Sequence, residues 1–74
     1  MTIMRIMRIV EVGGMKFKEI EKLLFNDGWL FKTAKGSHYQ YIHPSKPGKV
    51  TVPYHKGDLD LRTVKSILRQ AGLQ

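Results

Sequence analysis

Trp29-Leu30-Phe31-Lys32-Thr33-Ala34-Lys35-Gly36-Ser37-His38-Tyr39-Gln40-Tyr41-Ile42-His43 is the stretch whose reading decides the fold of this 74-residue chain. Aromatic and other strand-favouring residues alternate on both sides of Gly36-Ser37, so the segment reads as two antiparallel strands joined by a tight turn. Gly takes positive φ without a Cβ clash and Ser bonds nearby backbone, which suits both to that turn. Strict alternation in the first strand, Trp29 to Lys35, puts Trp29, Phe31 and Thr33 on one face and Leu30, Lys32 and Ala34 on the other. In the second, His38 to His43, the residues Tyr39, Tyr41 and His43 share a face and leave His38, Gln40 and Ile42 opposite. His38 thus opens a strand at the lip of a turn, aimed by rigid backbone yet within reach of a substrate. Its imidazole, with an ordinary pKa of about 6.5, can give or take a proton near neutral pH.

Downstream, Pro44-Ser45-Lys46-Pro47-Gly48 has the composition of a loop, and Lys49 to Pro53 forms a third short strand with Val50 and Val52 on one face. The links are too short for parallel crossovers, so the three strands make an antiparallel meander. Tyr54 to Asp58 reads as a polar connector. The helix after it has clear local signals: Asp60 as cap, Leu59 stapled onto Val64, and Gly72 as the closing residue. Its apolar stripe is Leu61, Val64, Ile67, Leu68 and Ala71, with Arg62, Lys65 and Arg69 as a basic line along one flank.

Upstream, Lys16 to about Asn26 is a second amphipathic helix, with Phe17, Ile20, Leu23 and Leu24 on its apolar face. Glu19 and Glu21 fall in its early turns, where they suit the positive end of the helix dipole, and Gly28 can supply the left-handed C-cap. The fold class is therefore α+β, in the order α-β-β-β-α, with both helices on one face of a three-stranded antiparallel sheet. The expected core is Phe17, Ile20, Leu23, Leu24, Phe31, Tyr39, Tyr41, Val50, Val52, Val64, Ile67 and Leu68. With Tyr39 and Tyr41 toward the helices, His38 and Gln40 stand on the open face. Residues 1–14 admit either a helix or a strand before Gly13-Gly14 breaks the pattern. They are read as a leader upstream of the domain at 15–74, with an added edge strand or partner-binding arm as the alternative.

Charge narrows the function. Thirteen Lys and Arg against six Asp and Glu give +7 at pH 7, and the sequence pI is near 10.0. So basic a small chain is attracted to polyanions: nucleic acid, an acidic protein or an anionic surface. No cysteine is present, which excludes disulfides and thiolate metal sites and fits a cytoplasmic protein. No apolar run approaches the roughly 20 residues needed to span a bilayer. Three scattered His lack zinc-ligand spacing, and there is no phosphate loop, Ser-His-Asp order or nucleotide fingerprint. No metal and no small-molecule cofactor is expected.

Taken together, Leu23-Leu24, Asp27-Gly28-Trp29, Lys35-Gly36-Ser37-His38, His43-Pro44, Val50-Thr51-Val52-Pro53 with His55, and Ser66 to Leu73 resemble the HicA (YcfA-like) toxins of toxin–antitoxin pairs. Each piece alone is weak, but the Gly-Ser-His turn and the closing helix together are specific. The match runs from Met15 to Leu73. It departs at residues 1–14, which have no counterpart, and at Phe17, where members often carry a capping Ser or Gly. The resemblance implies a double-stranded-RNA-binding-domain-like fold, ribosome-independent mRNA cleavage, and neutralisation by a HicB-like antitoxin. The family's catalytic histidine maps onto His38.

RNA cleavage needs a base for the 2′-OH or an acid for the 5′-oxygen, and positive charge for the phosphorane-like transition state. His38 suits either proton-transfer role. Lys35 and the backbone N–H groups of Gly36 and Ser37 can hold phosphate, and His55 and Lys56 are further candidate RNA-binding residues. His55 reads equally well as a second proton-transfer group or as a loop His bonded to local backbone. His43, on the face opposite His38, is read as structural, and Tyr39 and Tyr41 as core rather than base-stacking platforms. A non-catalytic RNA-binding module of the same fold is the alternative function.

Overall fold

The structure, a computed structural model, describes residues 15–73; the segment 1–14, read above as a leader or an arm, lies outside them. In chain order the elements are β1 (Met15–Lys16), α1 (Phe17–Asp27), β2 (Leu30–Lys35), β3 (His38–Ile42), β4 (Lys49–Pro53), β5 (Asp58–Leu59) and α2 (Leu61–Gln70). The α-β-β-β-α core and the antiparallel sheet are as expected, with β3 central between β2 and β4. Both helices contribute to one buried cluster with Tyr41, Val50 and Val52, so they cover the same face of the sheet.

Three corrections follow. Residues 54–58 are not a plain connector, because β5 pairs antiparallel with β1 through Met15↔Leu59 and Lys16↔Asp58. Two-residue strands are too short to show periodicity, yet this ribbon buries Met15 and Leu59. The second correction concerns the core. Trp29 is buried to 1% exposure, whereas the expected core residue Phe31 is 49% exposed and Leu61 is 40% exposed. Phe31 pairs with Tyr41 on the helix side but stands on an edge strand past the helices' cover, its ring 6.0 Å from Tyr41. Leu23 and Tyr39 only border the core.

The third correction matters most for the site. Alternation in β2 is interrupted between Phe31 and Thr33, after which Thr33, Ala34 and Lys35 pair with Gln40, Tyr39 and His38. A bulge adds one residue to the strand, and every side chain beyond it changes face. Thr33 and Lys35 therefore join the face of His38, and Ala34 joins that of Tyr39, the reverse of strict alternation.

Local chemistry explains the helix ends. Lys16 offers no acceptor to cap α1, but its N–H donates to Glu19 Oε1 at 2.8 Å, giving half of a capping box. The C-terminus closes as a Schellman motif, with Trp29 N–H donating to the Leu24 carbonyl and Gly28 N–H to that of Phe25. Gly28 sits at φ +102°, and a Cβ there would meet His43 Nε2 at 2.8 Å. Strain and clash act together, so Gly28→Ala should cost about 2–3 kcal/mol. Urea unfolding would show it as a lower midpoint with an unchanged slope.

Tyr41 ties α1 to the sheet: its hydroxyl donates to Glu21 Oε2 at 2.6 Å. Burial first, then this bond and the adjacent carboxylate charge, hold the Tyr41 hydroxyl well above the ordinary tyrosine value of 10.0. The unfolded chain therefore releases this proton first. The stability concerned is intact below about pH 10 and is lost as pH rises beyond it, at up to about 1.4 kcal/mol per pH unit. Tyr41→Phe should lower stability at pH 7 by about 1.5–3 kcal/mol. Its loss of stability between pH 10 and 11 should be less steep than wild type, measured by urea titration at each pH.

Candidate functional site

His38 is the first residue of the central strand, exposed on the face that the helices leave open. Lys35 on β2 and Pro53 on β4 are its cross-strand partners. Directly opposite residues share a face with Cβ atoms about 4.5–5.5 Å apart, so the two-residue turn starts the Lys35 and His38 side chains next to each other on that face. Between Lys35 and His38 the chain turns through Gly36 at φ +60°, while Ser37 has negative φ. That sign pattern is the one a two-residue type II′ hairpin needs, with Gly in the first central position. Nothing lies within 4 Å of where a Gly36 Cβ would stand, so the turn is open to solvent.

The lip of the sheet is pinned from the other side. Tyr54 N–H donates to the Ser37 carbonyl at 2.6 Å. The Tyr54 ring packs on Phe17 at 5.0 Å and stacks on Tyr39 at 5.7 Å. The turn carrying the candidate residues is thus tied to the helix-side aromatic cluster through Tyr54, which sequence reasoning treated as connector. Only the register of β4 reveals this, because it delivers Pro53 opposite His38 and Tyr54 beside Ser37.

Of the residues singled out in the sequence, Lys35, Gly36, Ser37 and His38 are brought together at one end of the sheet. His55 and Lys56 follow Tyr54 and are exposed; among the described residues no hydrogen bond ties either of them to His38. His43 sits just past β3. Its Nδ1 accepts from Ser45 N–H at 3.0 Å, which leaves Nε2 to donate to the Asp27 carbonyl at 2.7 Å. Its ring also meets Trp29 edge-on at 5.1 Å, so it serves as a structural clip between the 43–48 loop and the end of α1. Lys46 completes that clip, bonding Asp27 Oδ2 at 2.5 Å and the Ala71 carbonyl at 3.0 Å. Tyr41 is fully buried in the core and Tyr39, half-buried, packs against its border, so neither is a stacking platform on the open face. Arg62, Lys65 and Arg69 are all exposed.

Among the described residues, no three His, Cys, Asp or Glu lie together in a way that could hold a metal ion. The chemistry on offer is an accessible imidazole, a lysine that starts opposite it on the neighbouring strand, and an open backbone turn. Such a set can move a proton on a substrate whose negative charge the lysine and turn attract.

Residues 17–73 match the family model described as HicA toxin of bacterial toxin–antitoxin. Among solved structures, a chain of a toxin–antitoxin complex from Streptococcus pneumoniae is 35% identical, with a TM-score of 0.68. The alignment covers 80% of this chain and 98% of that one. No curated protein matches the sequence.

Proposed function

The chain belongs to the HicA toxin family, and on that premise we propose that it is a ribosome-independent mRNA endoribonuclease whose proton transfer runs through His38. The observation that carries this reading is the Lys35↔His38 pair across the Gly36-Ser37 turn, on the uncovered face of the sheet. In the proposed reaction the 2′-oxygen attacks the adjacent phosphorus and the bond to the 5′-oxygen breaks. His38 either takes the 2′ proton while water protonates the leaving 5′-oxygen, or protonates that oxygen while water takes the 2′ proton. Lys35 and the N–H groups of Gly36 and Ser37 hold the phosphate as its charge grows. No metal is required by this scheme. His55 and Lys56, one step past the pinned Tyr54, are proposed as further RNA contacts.

The proposed partner is a HicB-like antitoxin, and the support is family membership together with the toxin–antitoxin complex in which the similar chain was solved. The proposed location is the cytoplasm, where mRNA is found. Among the described residues no helix is long and apolar enough to cross a membrane.

The test is a time course with a defined mRNA, read beside a gel shift. Accumulating fragments support the enzyme, whereas a stable shift with no product supports a non-catalytic RNA-binding module. Lys35→Met should slow cleavage by about tenfold, as expected for losing one charge-assisted phosphate contact. It should also reduce the salt slope of binding by about one. A variant that cuts and binds as wild type would remove Lys35 from the site.

A further inference from the structure

We infer that Gln40 is the base-reading residue of a single-stranded RNA track on the open face of the sheet, which sets the nucleotide preferred next to the cut. The inference rests on the proposed cleavage at His38 and extends it to specificity.

Register arranges the open face in three rows. Lys35, His38 and Pro53 form the first, Thr33, Gln40 and Thr51 the second, and Leu30, Ile42 and Lys49 the third. The two-residue turn sets the first two rows, and the β2 bulge between Phe31 and Thr33 returns Phe31 to the helix side and Leu30 to the third row. Successive rows are about 6.8 Å apart, two residues of strand rise, a step comparable with one nucleotide of an extended single strand. A strand with its scissile phosphate at His38 and Lys35 therefore lays its neighbouring nucleotide over Gln40.

The chemistry of the rows assigns their roles. Phe31, Tyr39 and Tyr41 all fall on the helix side, so among the described residues the rows beyond His38 on this face carry no aromatic ring for base stacking. Base identity must then be read by hydrogen bonds, which on splayed single-stranded bases reach both the Watson–Crick and Hoogsteen edges. Gln40 carries two donors and an acceptor on one planar amide, flanked by the Thr33 and Thr51 hydroxyls, and suits a base edge with a donor beside an acceptor. Its half-buried position at the centre of the central strand limits where the amide can sit. In the third row the aliphatic pair Leu30↔Ile42, exposed at 55% and 39%, offers apolar contact without base selection, and Lys49 supplies charge for the backbone.

The experiment sequences the ends produced from a randomised single-stranded RNA pool by wild type, Gln40→Leu and Gln40→Glu. Wild type should show a base preference at one position adjacent to the cut. Gln40→Leu should flatten that position by about fivefold or more while the preferences at other positions change little. Gln40→Glu, an acceptor without donors, should shift the preferred base rather than erase it. A wild-type profile that both variants reproduce overturns the assignment of Gln40 and leaves the His38 proposal standing. No cleavage by wild type overturns both, and the two failures are thereby told apart. A thermal melt of each variant guards against misfolding; a melted Gln40→Leu leaves Gln40→Glu to decide.

Discussion

His38→Ala is expected to lower RNA cleavage by about 10²–10⁴-fold, the usual worth of a positioned proton-transfer group. The fold should not notice. His38 is exposed at the start of β3, and its pairing with Lys35 and Pro53 runs through backbone that alanine retains. A melting temperature within a few degrees of wild type, with undiminished RNA binding, would separate lost chemistry from lost structure. Retained cleavage at the wild-type rate would move the proton transfer to another residue, with His55 tested next.

Trp29→Ala should do the opposite, erasing the fold and with it any activity. Trp29 is 1% exposed and its Nε1 donates to Asp27 Oδ2 at 3.1 Å, the same oxygen that receives Lys46. Its ring also supports His43, whose Nε2 holds the Asp27 carbonyl. Truncating a buried Trp costs about 3–5 kcal/mol. A domain of this size has only roughly 4–11 kcal/mol to lose. The variant should show no cooperative thermal transition above room temperature, or a urea midpoint reduced by half or more. Trp29→Phe, which keeps most of the buried volume, should fall between it and wild type.

These two residues also mark how far the sequence could be read. The ends of α2 were legible because capping is local chemistry. Asp60 Oδ2 accepts from Arg62 N–H at 3.1 Å, and the Gly72 and Leu73 N–H groups bond the carbonyls of Arg69 and Leu68. The hairpin and the bounds of β4 were legible for the same reason, since turn residues and alternation lie within a few positions of one another. Trp29 was not. It precedes β2 rather than belonging to it, and what buries it is packing against His43 and the common core, groups distant in the sequence.

The β2 bulge was equally hidden, because inserting one residue leaves no mark in composition and Thr33, Ala34 and Lys35 suit either face. Its consequence is large for the site. The turn pairs Lys35 with His38, and the bulge lets Phe31 face the helices while Thr33 and Lys35 stay on the face of His38, which strict alternation forbids. The β1–β5 ribbon escaped because it joins two dipeptides more than 40 residues apart. The histidine that family resemblance singled out is thus found on an accessible strand end. The charged and polar groups around it follow from pairings that only the folded chain reveals.

Under the proposed function this chain itself cuts RNA, with no metal and no ribosome. The most direct measurement incubates purified protein with a defined mRNA in excess EDTA and follows full-length RNA over time. The account predicts discrete fragments that accumulate with protein concentration and fail to appear with His38→Ala. RNA that stays intact while a gel shift shows it bound would contradict the account and leave a binding module in its place.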